Sequence, residues 1–125
     1  MASENTSRIR GLRILMVEDE MMLAMSLEDT LRRLGCEVVM AGRLHKALKL
    51  AETEEIDGAL LDVNLAGERV YPVAAELDRR GIPYVLMTGY GNDMLDADYR
   101  SCPALMKPFQ ADEMKRVAEA TFKPD

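Results

Sequence analysis

The stretch Gly58-Ala59-Leu60-Leu61-Asp62 is apolar up to its last residue, a carboxylate. It is too short for a helix. A brief apolar run without alternation reads as a strand buried on both faces, as parallel sheets require. The same logic extends outward in both directions. Upstream, Leu44, Ala47, Leu48 and Ala51 recur at i, i+3, i+4 and i+7 and predict a helix. Residues 38–41 form a short strand before it. Leu23, Leu27, Leu31 and Leu34 make a helical stripe closed by Gly35, and residues 12–17 make a first apolar strand. Downstream, Val70, Val73, Ala74 and Leu77 predict a third helix, with Pro72 in its first turn and Gly81 as its stop. Residues 83–88 read as a fourth strand and 92–99 as a short acidic helix. Residues 104–106 read as a fifth strand, and Met114, Val117 and Ala118 mark a fifth helix. Strict alternation of this kind predicts an α/β fold: one doubly wound, five-stranded parallel sheet with five helices.

The chain has 125 residues, enough for one domain that needs no disulfide staples. Residues 1–10 are polar and predicted to be a disordered tail ahead of a domain spanning 11–125. The net charge of −6 argues against nucleic acid or an anionic membrane surface as a partner, since phosphates would be repelled. No apolar run is long enough for a membrane span and no signal peptide is evident, so a cytoplasmic location is expected. Cys36 and Cys102 lack partners at metal-ligand spacing and read as free thiols. His45, the single histidine, lies between Arg43 and Lys46 on a solvated face. The ten methionines read mostly as core filler, with Met21, Met22 and Met25 as an alternative docking patch. Asp93, Asp96 and Asp98 read as a solvated face rather than an ion site.

In open parallel sheets, ligands bind at the carboxyl ends of the strands. The first strand ends in Glu18-Asp19-Glu20, the third in Asp62, the fourth in Thr88 and the fifth at Lys107. Singly, each has an ordinary role as a helix cap, turn residue or solvated loop. Together they define a chemistry. Carboxylates of Glu18, Asp19 and Asp62 brought close repel one another and call for a cation. Hard oxygen donors in partial supply suit Mg²⁺, which keeps several waters. Asp62 then attacks a phosphorus atom and becomes an aspartyl phosphate. Lys107 pairs with one phosphoryl oxygen and the Thr88 hydroxyl donates to another, so the work is positioning and charge neutralisation.

The acidic pair Glu18-Asp19, Asp62, Thr88-Gly89 and Lys107-Pro108-Phe109 together resemble the receiver domain of two-component signalling, over roughly residues 12–121. The resemblance implies a flavodoxin-like sheet of order 2-1-3-4-5. It implies that Asp19 binds Mg²⁺ directly, Glu18 largely through water, and the backbone carbonyl of Asn64 as a third protein ligand. It also implies a cis Lys107-Pro108 bond. The partners it implies are a histidine kinase or histidine phosphotransfer protein as donor and a downstream protein as target. Receivers often carry an aromatic switch residue three positions before the lysine, and here that residue is Ala104. Thr88-Gly89-Tyr90-Gly91 is similar to a subgroup of stand-alone receivers with a Phe-Ala-Thr-Gly motif, with Leu86-Met87 in place of Phe-Ala. That subgroup also lacks the aromatic switch.

Two other readings use the same residues. A haloacid-dehalogenase-like phosphatase also forms an aspartyl phosphate, and Asp62-Val63-Asn64 resembles its nucleophile motif. That family places the nucleophile after its first strand and needs a second aspartate where this chain has Asn64. The other is a receiver fragment of a longer regulator or hybrid kinase. In either receiver case the chain is a phosphoacceptor signalling domain rather than an enzyme.

Overall fold

The computed structural model describes residues 7–89 and 95–123. In chain order the elements are β1 (Arg13–Val17), α1 (Met21–Arg33), β2 (Glu37–Ala41), α2 (Leu44–Thr53), β3 (Gly58–Asp62), β4 (Asn64–Leu65), β5 (Glu68–Arg69), α3 (Tyr71–Arg80), β6 (Tyr84–Thr88), β7 (Ala104–Met106) and α4 (Ala111–Phe122). Five strands form one parallel sheet in the order β2-β1-β3-β6-β7. This is the expected 2-1-3-4-5 order once the two-residue strands β4 and β5 are set aside.

Alternation along each strand divides the core. In β1, Ile14 and Met16 face one side, and Leu15 and Val17 the other. The first side is covered by Ala24, Leu27 and Leu31 of α1 and by Met114, Ala118 and Phe122 of α4. The second is covered by Ala47 and Ala51 of α2 and Val73, Ala74 and Leu77 of α3. Each fully buried leucine contributes about 1.5–3 kcal/mol through water release. β3, at the centre, is buried along its whole length, which explains its unbroken apolar sequence.

Gly58 opens β3 because α4 ends directly on it. A Cβ there would lie 2.6 Å from Phe122 Cδ1, deep inside contact distance. Gly58→Ala is therefore expected to cost about 1–3 kcal/mol by overpacking. Chemical denaturation should show a lower midpoint at unchanged slope; an unchanged midpoint would mean the Phe122 ring moves freely.

Two expectations need correction. Among the described residues there are four α-helices, not five; of the predicted helix at 92–99, only Ala97–Tyr99 appears, as a single 3-10 turn. The segment lacks an apolar stripe to drive helix formation, and 90–94, Tyr90 included, fall outside the described residues. It is instead held to α3: the Tyr71 and Tyr99 rings stack with centroids 4.5 Å apart, and the Asp96 N–H donates to the Tyr71 hydroxyl at 3.0 Å. Ser7 to Arg10, placed by the sequence in a disordered tail over 1–10, pack against the domain, and residues 1–6 fall outside those described. Ile9 is fully buried beside Phe122 and Leu34. The Arg8 guanidinium donates to the carbonyls of Glu119 and Lys123 at 3.1 and 3.0 Å, satisfying the open end of α4.

β4 and β5 form a small antiparallel hairpin just after Asp62, pairing Asn64 with Arg69 and Leu65 with Glu68. Its two-residue turn is Ala66-Gly67, at φ 51° and 88°. An alanine in this left-handed region costs about 1 kcal/mol.

Candidate functional site

Parallel pairing brings the strand ends into one layer. Val17 pairs with Leu61, so Glu18 comes level with Asp62; Asp62 pairs with Met87 and Thr88 with Met106. All of Glu18, Asp62 and Thr88 are buried, and with Ser7 they make up the buried polar residues among those described. Such groups are expensive to bury without partners, so their concentration at one edge marks function rather than packing.

The Lys107 ammonium bridges the two strands. Its Nζ lies 2.8 Å from Glu18 Oε1 and 3.3 Å from Asp62 Oδ2. Glu18 uses its other oxygen as well: Oε2 accepts the N–H of Glu20 at 3.1 Å. The Asn64 N–H donates to Asp62 Oδ1 at 3.3 Å. Asp19 is exposed, and its Oδ2 accepts the N–H of Ala66 at 3.1 Å. Glu18, Asp19 and Asp62 each offer one carboxylate oxygen, all within 4.8 Å of one another, a spacing that can hold a metal ion. Thr88 closes β6, and its carbonyl accepts the N–H of Lys107 at 2.8 Å. The Lys107-Pro108 bond is cis, matching the resemblance.

The electrostatics follow from this crowding. Burial, and then the charge of Glu18, push the Asp62 carboxyl up to about 7; a hydrogen bond shared with Asp19 adds to the rise and Lys107 opposes it. Burial works against the Lys107 charge, but Glu18 and Asp62 outweigh it, and the ammonium is held above its ordinary value. With its three carboxylates ionised, the metal-free site is thus a cluster that one lysine leaves two positive charges short of balance.

The structure brings together the carboxylates and lysine read from the sequence, and it seats Asn64 at the start of β4. Ala104 is half-buried against the α2 and α3 side of the core. His45 is exposed, and Cys36 and Cys102 are free thiols, Cys36 being pushed up to about 11 by burial. Met16, Met87 and Met114 are core, but Met21, Met22, Met25 and Met106 are exposed. Met21 and Met25 line a groove with Glu18 and Asp19, and Met22 lines another with Lys107 and Phe109. The sequence reading missed the hairpin and the Ala66 amide that reaches Asp19. The Ala66-Gly67 pair was the available signal, since a glycine-containing dipeptide can turn a two-residue hairpin.

Residues 14–119 match the response regulator receiver domain family. The chain is 32% identical over 107 residues to the transcriptional regulatory protein PdtaR of Mycobacterium tuberculosis, covering 82% of this chain and 52% of that protein. It therefore spans about half the length of this curated relative. It is 42% identical to SdrG from Sphingomonas melonis Fr1, with a TM-score of 0.78 over 88% of this chain and 95% of that one. It is 28% identical to the receiver domain of the sensor histidine kinase PA1611 from Pseudomonas aeruginosa PAO1, with a TM-score of 0.73 over 87% of this chain and 95% of that one. The structure of that domain has a magnesium ion coordinated in its active-site cleft. The chain belongs to the response regulator receiver domain family. It is a signalling domain of two-component systems, and none of its described helices is long and apolar enough to cross a membrane.

Proposed function

We propose that the chain accepts a phosphoryl group on Asp62 from a histidine kinase or histidine phosphotransfer protein, with Mg²⁺ held by Asp19, Asp62 and the Asn64 carbonyl. The observation that carries this reading is the cluster of three carboxylates within 4.8 Å, bridged at two of them by one lysine. Both Glu18 oxygens already have protein partners, which favours contact with the ion through water. Mg²⁺ bound there would supply charge neutralisation for the phosphoryl group. An Asp62 oxygen then forms the new bond to phosphorus as the donor's bond to phosphorus breaks. Lys107 swings its ammonium from the carboxylates to a phosphoryl oxygen, and the Thr88 hydroxyl donates to another. The output is a changed set of protein contacts rather than a released product. The carboxylate cluster of this chain and the magnesium site of the PA1611 receiver domain support this reading. A phosphatase of the haloacid-dehalogenase type is disfavoured, because Asn64 carries no acid and its Oδ1 already accepts the Gly67 N–H.

Mass spectrometry after incubation with acetyl phosphate and Mg²⁺ tests the proposal: one phosphoryl adduct mapping to Asp62 is expected, and an adduct at another residue, or none, refutes it. p-Nitrophenyl phosphate should show no turnover. Asp19→Ala should remove the Mg²⁺-induced rise in melting temperature; a rise equal to the parent's would place the ion elsewhere.

A further inference from the structure

Ala66 is the sole non-glycine residue with positive φ among those described, and it sits four residues after Asp62. Backbone strain beside a reactive cluster raises the question of what it positions. Its N–H points at Asp19 Oδ2 across 3.1 Å, joining loops 47 positions apart in sequence. The turn that aims this amide is braced on several sides. The Gly67 N–H donates to Asn64 Oδ1 at 3.1 Å. Leu65 is fully buried beneath the hairpin, and the Val70 N–H donates to the Val63 carbonyl at 3.0 Å behind it. Asp19, by contrast, is exposed, and beside the buried Glu18 and Asp62 its side chain has no packing to fix its rotamer.

We infer that the backbone amide of Ala66 is a positioning group for Asp19, holding Oδ2 so that the other oxygen stays turned toward Asp62 and the ion. The inference rests on the reading of Asp19 as an ion ligand. A peptide N–H fixed in a hairpin orients a carboxylate without ordering a second side chain. The gain is a matter of population. An unrestrained aspartate divides its time among three χ1 wells, and the ion meets a competent site only in one of them. Apparent affinity falls by that fraction, so losing the amide should weaken Mg²⁺ binding about three- to tenfold. The hairpin also ties Asp19, at the end of β1, to the segment leaving Asp62, so the two ligands keep their spacing.

The direct test replaces the Leu65–Ala66 amide with an ester by placing the α-hydroxy analogue of alanine at position 66. This deletes the N–H and keeps the methyl group and the chain path. Mg²⁺ alone is the probe, titrated against NMR amide shifts. The dissociation constant should rise about three- to tenfold while the metal-free melting temperature stays close to the parent's. A general loosening of the fold would move both. An ester chain that binds Mg²⁺ as tightly as the parent overturns the inference and leaves the ion reading standing. A parent chain that binds no Mg²⁺ overturns the ion reading and this inference with it. If the ester chain does not fold, the parent decides: the through-hydrogen-bond correlation from the Ala66 nitrogen to the Asp19 side-chain carboxyl carbon should be present in the metal-free form and persist at saturating Mg²⁺. Its disappearance on ion binding would show that the amide competes with the metal instead of serving it.

Discussion

Asp62→Asn is expected to form no phosphoryl adduct with acetyl phosphate and, without metal, to melt well above the parent chain at pH 7.5. The first effect follows from the loss of the nucleophilic oxygen. The second follows from the metal-free site. The folded Asp62 carboxyl is pushed up to about 7 from an ordinary 3.8, by burial first and by Glu18 second. Between those values the folded chain keeps a proton that the unfolded chain has released. Folding stability is therefore highest on the acid side of this window and falls as pH rises through 7. The loss is on the order of 3 kcal/mol. Asparagine keeps the shape and has no charge to bury, so most of that loss should be recovered, as roughly 10 °C in melting temperature. Melting curves at pH 5 and pH 7.5 should differ in the parent and nearly coincide in the variant. A parent chain whose metal-free stability rises from pH 5 to 7.5 would contradict the electrostatics. An adduct on the variant would contradict the acceptor assignment.

Lys107→Ala should weaken the metal-free chain and at the same time enlarge its response to Mg²⁺. Lys107 is the cation that touches both Glu18 and Asp62. Glu18 is 4% exposed, and its remaining hydrogen bond is the N–H of Glu20. Removing the ammonium leaves that charge buried with little compensation, a change that costs about 2–4 kcal/mol. Asp62 moderates the loss by holding its proton to still higher pH, because the one group opposing its rise is gone. A divalent cation then restores more than it does in the parent, where the lysine already offsets part of the repulsion. Adduct formation should slow on the order of a hundredfold, since a phosphoryl oxygen loses its partner. Thermal melts with and without Mg²⁺ read both effects. A Mg²⁺-induced shift smaller than the parent's would mean that the lysine helps the ion rather than standing in for it.

The strands and the acid cluster were legible because each is a local pattern with one reading. An apolar run that stops at Asp62, Thr88 or the Glu18-Asp19 pair states both where the strand ends and what lies at that edge. The bridge from Lys107 to Glu18 spans 89 positions, and no spacing rule announces it. The hairpin was hidden for a different reason: of its paired residues Asn64, Leu65, Glu68 and Arg69, leucine alone is apolar, so no alternation shows. In the described part of the predicted helix at 92–99, the aspartates Asp96 and Asp98 favour turns over helix, and a helix also needs an apolar face to pack. Ile9 was unreadable because a single apolar residue among polar and basic ones becomes core through tertiary contact alone.

The strap from Ser7 to Arg10 brings the two ends of the described chain together. Ser7 Oγ donates to Glu119 Oε2 at 3.0 Å, and Arg8 reaches the Lys123 carbonyl. α4 begins after β7, at the edge that holds Asp62, and finishes at the opposite edge, against Gly58. Both ends therefore leave from the side away from the acceptor. Neighbouring ends of this kind tolerate circular permutation. Insertion into another protein through Ser7 and Lys123 would thus keep both junctions on the side away from Asp62.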